Sequence, residues 1–271
     1  MGGCREELVE IKNASAGAFD KEHGERMTKT QKKGIYRRLD DLSEEQKIAL
    51  LLVALIFDLL MVYPLVSVVQ SKVVIQIING VITSVMLLLG LLALTRHKVN
   101  RIVLGAVVLT FISIHFVRLI FGAQWIWKLE NLLALVTIII FVDHILKYVF
   151  KEGPVTRQRI EGAVAAYLLI ALAFAVSYHL TALFIPRAFA FADIADKALN
   201  PSDPRFPFYF NYFSVITIST IGYGDITPVH PLARALAMME ALVGQFYPSI
   251  LLARLVSLHI AHSHRSDKMD V

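Results

Sequence analysis

The hexapeptide Thr220-Ile221-Gly222-Tyr223-Gly224-Asp225 is the stretch of this sequence whose residue types could do chemistry through the backbone. A dehydrated potassium ion needs several oxygens around it, and a chain offers successive rings of them only where consecutive carbonyls point to one side. Gly222 and Gly224 permit that geometry, because residues without a Cβ enter left-handed torsions at little steric cost. Thr220, Ile221, Gly222 and Tyr223 would then supply carbonyl rings to K+, with the Thr220 hydroxyl adding an inner ring and Gly224 completing the run. One chain carries one such strand, so four chains must meet on a common axis to enclose the ion. The competing reading is an ordinary exposed turn, since Gly and Asp are the commonest turn residues. The segments on either side weigh against it.

Other residue types point away from catalysis. The single cysteine, Cys4, excludes an intrachain disulfide and a cysteine-based metal cluster within one subunit. No spaced His, Glu or Asp metal set and no Ser-His arrangement lies within the apolar runs, so no enzyme is expected and no cofactor beyond K+ as the permeant ion. A net charge of +5 could suggest nucleic acid, but Lys and Arg stand at the ends of apolar runs instead of interleaving with aromatics. The expected partners are the lipid bilayer and identical subunits, with neither nucleic acid nor a soluble substrate.

The elements that must position the hexapeptide are membrane helices. A hydrophobic share of 56% is too high for an ordinary soluble domain, and the apolar residues gather into runs close to the ~20 residues that cross the hydrocarbon core. Six spans are expected: Ile48 to Val69, Val73 to Thr95, Arg101 to Phe121, Trp125 to Phe150, Ile160 to Ile185, and Leu232 to Ile260. Arg96, Lys98 and Arg101, and then Lys151, Arg157 and Arg159, mark two short loops as cytoplasmic. An even number of crossings then puts both termini inside, including the tail that carries Lys29, Lys32, Lys33, Arg37 and Arg38. Trp125, Trp127, Tyr63 and Tyr178 stand where interfacial aromatic anchors belong. The long outer stretch from Pro186 closes on Phe208 to Ser219, which is too short to cross and too apolar to lie in water. A re-entrant helix satisfies both conditions.

With these flanks in place, Thr217-Ile218-Ser219-Thr220-Ile221-Gly222-Tyr223-Gly224-Asp225 resembles the pore signature of the six-transmembrane potassium channels of the voltage-gated-like superfamily, of prokaryotic type. The resemblance covers about Ile160 to His262. It implies an all-α membrane protein with six transmembrane helices, a re-entrant pore helix and a selectivity filter, assembled as a homotetramer in the plasma or inner membrane. It also implies supports for the filter among Asp225, Tyr212, Thr217 and Ser219. Where the family pairs its carboxylate with a Trp, this chain has Tyr212 and Phe213, so a Tyr212 to Asp225 hydrogen bond is expected. Gly244 falls where the family has its inner-helix hinge glycine, and Pro248 can kink the helix below it. The paired prolines of eukaryotic members are missing. Gln245, Pro248 and Leu252 share a helical face that could line a cavity, and Glu240 falls behind the filter or in a buried hydrogen bond.

The first four runs resemble a sensor domain only in number and topology. Steps of three from Lys128 give Asn131, Ala134, Thr137 and Ile140, so the cationic ladder that a voltage sensor needs is missing, and steep voltage gating is not expected. Asp58, His115, Arg118, Glu130, Asp143, His144 and Lys147 are expected as buried pairs or interfacial groups. His259, His262 and His264 read as a solvated tail. The expected organisation is a cytoplasmic tail at 1–46, a sensor-like domain at 47–153, a pore domain at 154–262 and a cytoplasmic tail at 263–271. A transporter, a membrane enzyme and a non-conducting partner subunit are the rivals.

Overall fold

The computed structural model describes residues 44–94, 98–121, 124–151, 155–192 and 203–267. Almost all of the expected N-terminal tail lies outside them, as do Arg96, the side chain of Tyr63 and those of the three C-terminal histidines. Glu45–Val271 is one compact unit. Its helices are α1 (Glu44–Val68), α2 (Lys72–Leu94), α3 (Lys98–Phe121), α4 (Gln124–Val149), α5 (Arg157–Phe184), α6 (Phe206–Ile218) and α7 (Pro231–Asp267). Two short strands, β1 (Phe189–Phe191) and β2 (Ile226–Pro228), pair antiparallel with Ala190 opposite Thr227.

The runs become helices because an apolar segment in lipid must satisfy its own backbone groups. The starts of α6 and α7 follow from proline: Pro207 lies in the first turn of α6 and Pro231 opens α7, where a missing N–H breaks no helical bond. Inside α1, Pro64 is accompanied by the Ser67 hydroxyl, which donates to the Pro64 carbonyl at 2.7 Å. Among the described residues five helices are long and apolar enough to cross a membrane: Gln46–Val68, Lys72–Leu92, Trp125–Val149, Arg157–Phe184 and Pro231–Arg254. In the remaining long helix, α3, the described residues include the shorter apolar stretch Gly105–Arg118.

A shared core spans the expected boundary between the sensor-like and pore segments. Leu51, Leu55, Leu87, Phe111, Ile138 and Phe141 of the first four helices pack with Ala163, Ala166 and Leu169 of α5. A second core gathers Tyr178, Phe189, Phe206, Phe210 and Phe213 around α6, with ring centroids such as Phe189 to Phe210 at 4.8 Å. Val62, Val66 and Ile75 close on Phe208, while Arg205 donates to the Val69 carbonyl at 2.9 Å and Lys72 pairs with Asp203 at 3.1 Å. The outer ends of α1 and α2 therefore lean on the start of α6 in the same chain.

The described chain is mostly helical, as expected, with the short β1–β2 ladder between α5 and α7. The last helix runs from Pro231 to Asp267. One expectation is corrected: Tyr178 and Trp127 are not interfacial anchors, because both are buried inside the protein, and Trp125 is the exposed one.

Candidate functional site

The short helix α6 ends at Ile218, and the hexapeptide leaves from its C-terminus. Ser219 N–H donates to the Val215 carbonyl at 3.1 Å, Thr220 N–H to Thr217 at 3.0 Å, and Ile221 and Gly222 N–H both to Ile216, at 2.9 and 3.1 Å. In a trans peptide unit the N–H and the preceding C=O point in opposite directions. With both amides aimed back at Ile216, the Thr220 and Ile221 carbonyls must point together, away from α6. Parallel neighbouring carbonyls require torsions of alternating hand, and φ is 63° at Thr220, 54° at Gly222 and 80° at Gly224. The glycines take these values freely. Thr220 does so at a cost of about 1–2 kcal/mol, which nothing in its residue type foretold.

Thr220 to Gly224 are exposed in the single chain, with Ile221 54% and Tyr223 71% accessible. Non-helical backbone at membrane depth is tolerated only where protein buries it or water lines it.

The outer end of the strand is tied on two sides. Tyr212 donates its hydroxyl to Asp225 Oδ2 at 2.7 Å, and Asp225 Oδ1 accepts the Ile226 N–H at 3.0 Å. Ala192 N–H donates to the Asp225 carbonyl at 2.8 Å, continuing the β1–β2 ladder. Tyr212→Phe should cost about 1.5–3 kcal/mol per subunit, the range for a hydrogen bond to a charged group. It is measured as a lower melting temperature and faster loss of current during sustained opening; no change in either would dismiss the tie. Thr217 and Ser219 are placed differently. Their hydroxyls donate to the Phe213 and Val215 carbonyls at 2.7 and 2.6 Å, so they bond α6 and not the strand.

Behind the strand, α7 passes so close that a Cβ on Gly244 would collide with the Ile218 carbonyl. The buried glycine permits this close packing of α7 within a continuous helix. Gly244→Ala should destabilise the subunit by about 1–3 kcal/mol, since a backbone carbonyl cannot step aside as a side chain can. Thermal unfolding of the assembled protein checks this, and an unchanged midpoint would mean that α7 moves freely off α6. Gln245, Pro248 and Leu252 are all exposed on the single chain.

Between α5, α6 and α7 lies a polar cluster that sequence reasoning saw only at Glu240. The carboxyl is fully buried, with Tyr178 Oη at 2.5 Å from Oε2 and the Ser214 hydroxyl on Oε1. Ser214 Oγ also touches the Ala171 carbonyl at 2.6 Å, and Tyr167 donates to the Ile218 carbonyl at 3.0 Å. Polar side chains in otherwise apolar helices were the available signal. In the first four helices, Glu130 meets His115 Nδ1 at 2.7 Å and Arg118 Nε at 2.9 Å, all three buried. Arg118 also lies over the Trp127 ring at 4.2 Å.

Residues 166–260, from within α5 to within α7, match the family model described as "Ion channel". Together with the long apolar helices, this marks a multi-pass membrane protein with an ion-channel segment. The chain is 46% identical over 46 residues to "Two pore potassium channel c" of Oryza sativa subsp. japonica. That stretch is 17% of this chain and 10% of the rice protein, so the chain spans about a tenth of the relative it matches. No solved structure matches.

Proposed function

We propose that four copies of this chain form a potassium channel of the six-transmembrane, voltage-gated-like type, conducting K+ passively through a filter built from Thr220, Ile221, Gly222, Tyr223 and Gly224. The observation that carries the reading is the common direction of the Thr220 and Ile221 carbonyls, fixed by two amides that share the Ile216 carbonyl. Four such strands around an axis replace the hydration shell of a monovalent cation. The C-terminus of α6, with its partial negative charge, points toward the same axis and favours a cation there. Asp225 and Tyr212 brace the outer end, and Gly244 and Pro248 belong to the inner helix that surrounds the cavity below. In this arrangement α3 completes a six-span topology with both termini inside, in the plasma or inner membrane. The ion channel match and the partial likeness to a rice potassium channel support the same reading.

Recording purified protein in planar bilayers tests it. Discrete currents that reverse near the potassium equilibrium potential under a K+/Na+ gradient are expected; equal passage of Na+ would end the potassium assignment. In symmetric K+ the conductance should depend only weakly on voltage, because α4 carries no row of cations. Each charge moved across the field contributes about 2.3 kcal/mol per 100 mV. A steep curve worth several charges per subunit would overturn that part.

A further inference from the structure

The two buried glutamates of this fold are held in opposite ways. Glu130 faces the cations Arg118 and His115, whereas Glu240 has, among the described residues, no Lys, Arg or His within ion-pair distance. Glu240 is surrounded by oxygen atoms, and counting the protons between them identifies its state. Three oxygen–oxygen contacts of hydrogen-bond length are present: Tyr178 Oη to Glu240 Oε2, Ser214 Oγ to Glu240 Oε1, and Ser214 Oγ to the Ala171 carbonyl. Each needs one proton between its oxygens. Tyr178 and Ser214 supply one each, and a carbonyl supplies none. If Glu240 were a carboxylate, either Ser214 and Ala171 or Ser214 and Glu240 would face each other at bonding distance with lone pairs only.

We infer that Glu240 holds the third proton and acts as a neutral carboxylic acid that positions the base of the filter. The acid O–H at Oε1 donates to Ser214 Oγ, the Ser214 O–H donates to the Ala171 carbonyl, and the Tyr178 O–H donates to Oε2. Every hydroxyl then has one acceptor, and one continuous chain of bonds joins α7 through α6 to α5. Ser214 lies one helical turn before Ile218, whose carbonyl accepts from Tyr167 and lies close against Gly244. Withdrawing the proton reverses the Ser214 hydroxyl and releases α6 from Ala171, close to where the strand leaves the helix. The ionisable side chain bonded to Glu240 is Tyr178 of α5, and α6 contributes the Ser214 hydroxyl. The protonated state follows from the contacts alone, while the effect on the filter rests on the channel reading.

Infrared difference spectroscopy on the full chain in lipid separates these. At neutral pH the wild type should show a protonated-carboxyl C=O band that Glu240→Gln lacks, and Glu240→Asp should move it. The band should fade as pH rises, and wild-type thermal stability should fall with it, while Glu240→Gln stays flat. The glutamine amide supplies the donor and acceptor of the acid, so its potassium current should stay within about twofold of wild type. Glu240→Ala, which strands the buried Tyr178 hydroxyl and leaves the Ser214 oxygen without its donor, should lower the current about tenfold or more. A missing band, with wild type and Glu240→Gln sharing one pH profile, would overturn the assignment; if Glu240→Gln does not fold, the wild-type band and its shift in Glu240→Asp decide alone. A band that behaves as described in protein that passes no K+ would uphold the proton and refute the channel.

Discussion

Gly222→Ala is expected to abolish potassium current in the reconstituted protein. A Cβ at this position would meet nothing within 4 Å in the chain, so the loss comes from the torsion and not from a clash. An L-residue forced to φ 54° loses about 1–2 kcal/mol, and in the proposed tetramer four copies compound this to roughly 4–8 kcal/mol. The relaxed alternative turns one carbonyl out of line in each copy, which would interrupt the proposed oxygen cage. Single-channel recording gives the answer. The control is Gly105→Ala in α3, where an added Cβ meets only Leu91 at an ordinary 3.9 Å. Wild-type conductance and selectivity in Gly222→Ala would mean that this strand lines no conduction path.

Glu130→Ala should be the most damaging single change in the first four helices. It leaves the Arg118 guanidinium, 3% exposed, and the buried His115 ring without their counter-charge. Breaking a buried pair from one side costs about 3–5 kcal/mol. The expected result is a large drop in melting temperature or loss of folded protein on size exclusion. Asp143→Ala is the comparison, because its pair with Lys147 at 2.7 Å lies one turn along the same helix and is largely exposed. Such pairs contribute about 0–1 kcal/mol. Equal, small effects would show that water reaches Glu130.

The helices were legible because each is an apolar run bounded by charge, Pro or Gly, and their ends moved by only a few residues. The short helix α6 was legible from a contradiction, a segment too short to span and too apolar for water. The β1–β2 ladder was not, since three-residue strands leave no periodicity to read and Pro228 argues against pairing. Within the site, the glycines declared the strand's handedness, but Thr220 did not, because its residue type disfavours the torsion that Ile216 imposes on the backbone around it. Tyr178 was misread for a physical reason. Its place near the outer end of a span suits an interfacial ring equally well, and only the partner 62 residues away, Glu240, distinguishes a buried hydroxyl from a wet one.

Few residues separate Val149 from Arg157, and the first four helices lean on α5 of their own chain. A chain built this way brings its first four helices and α5 together on one polypeptide, so in the proposed tetramer their packing would need no exchange with a neighbouring copy.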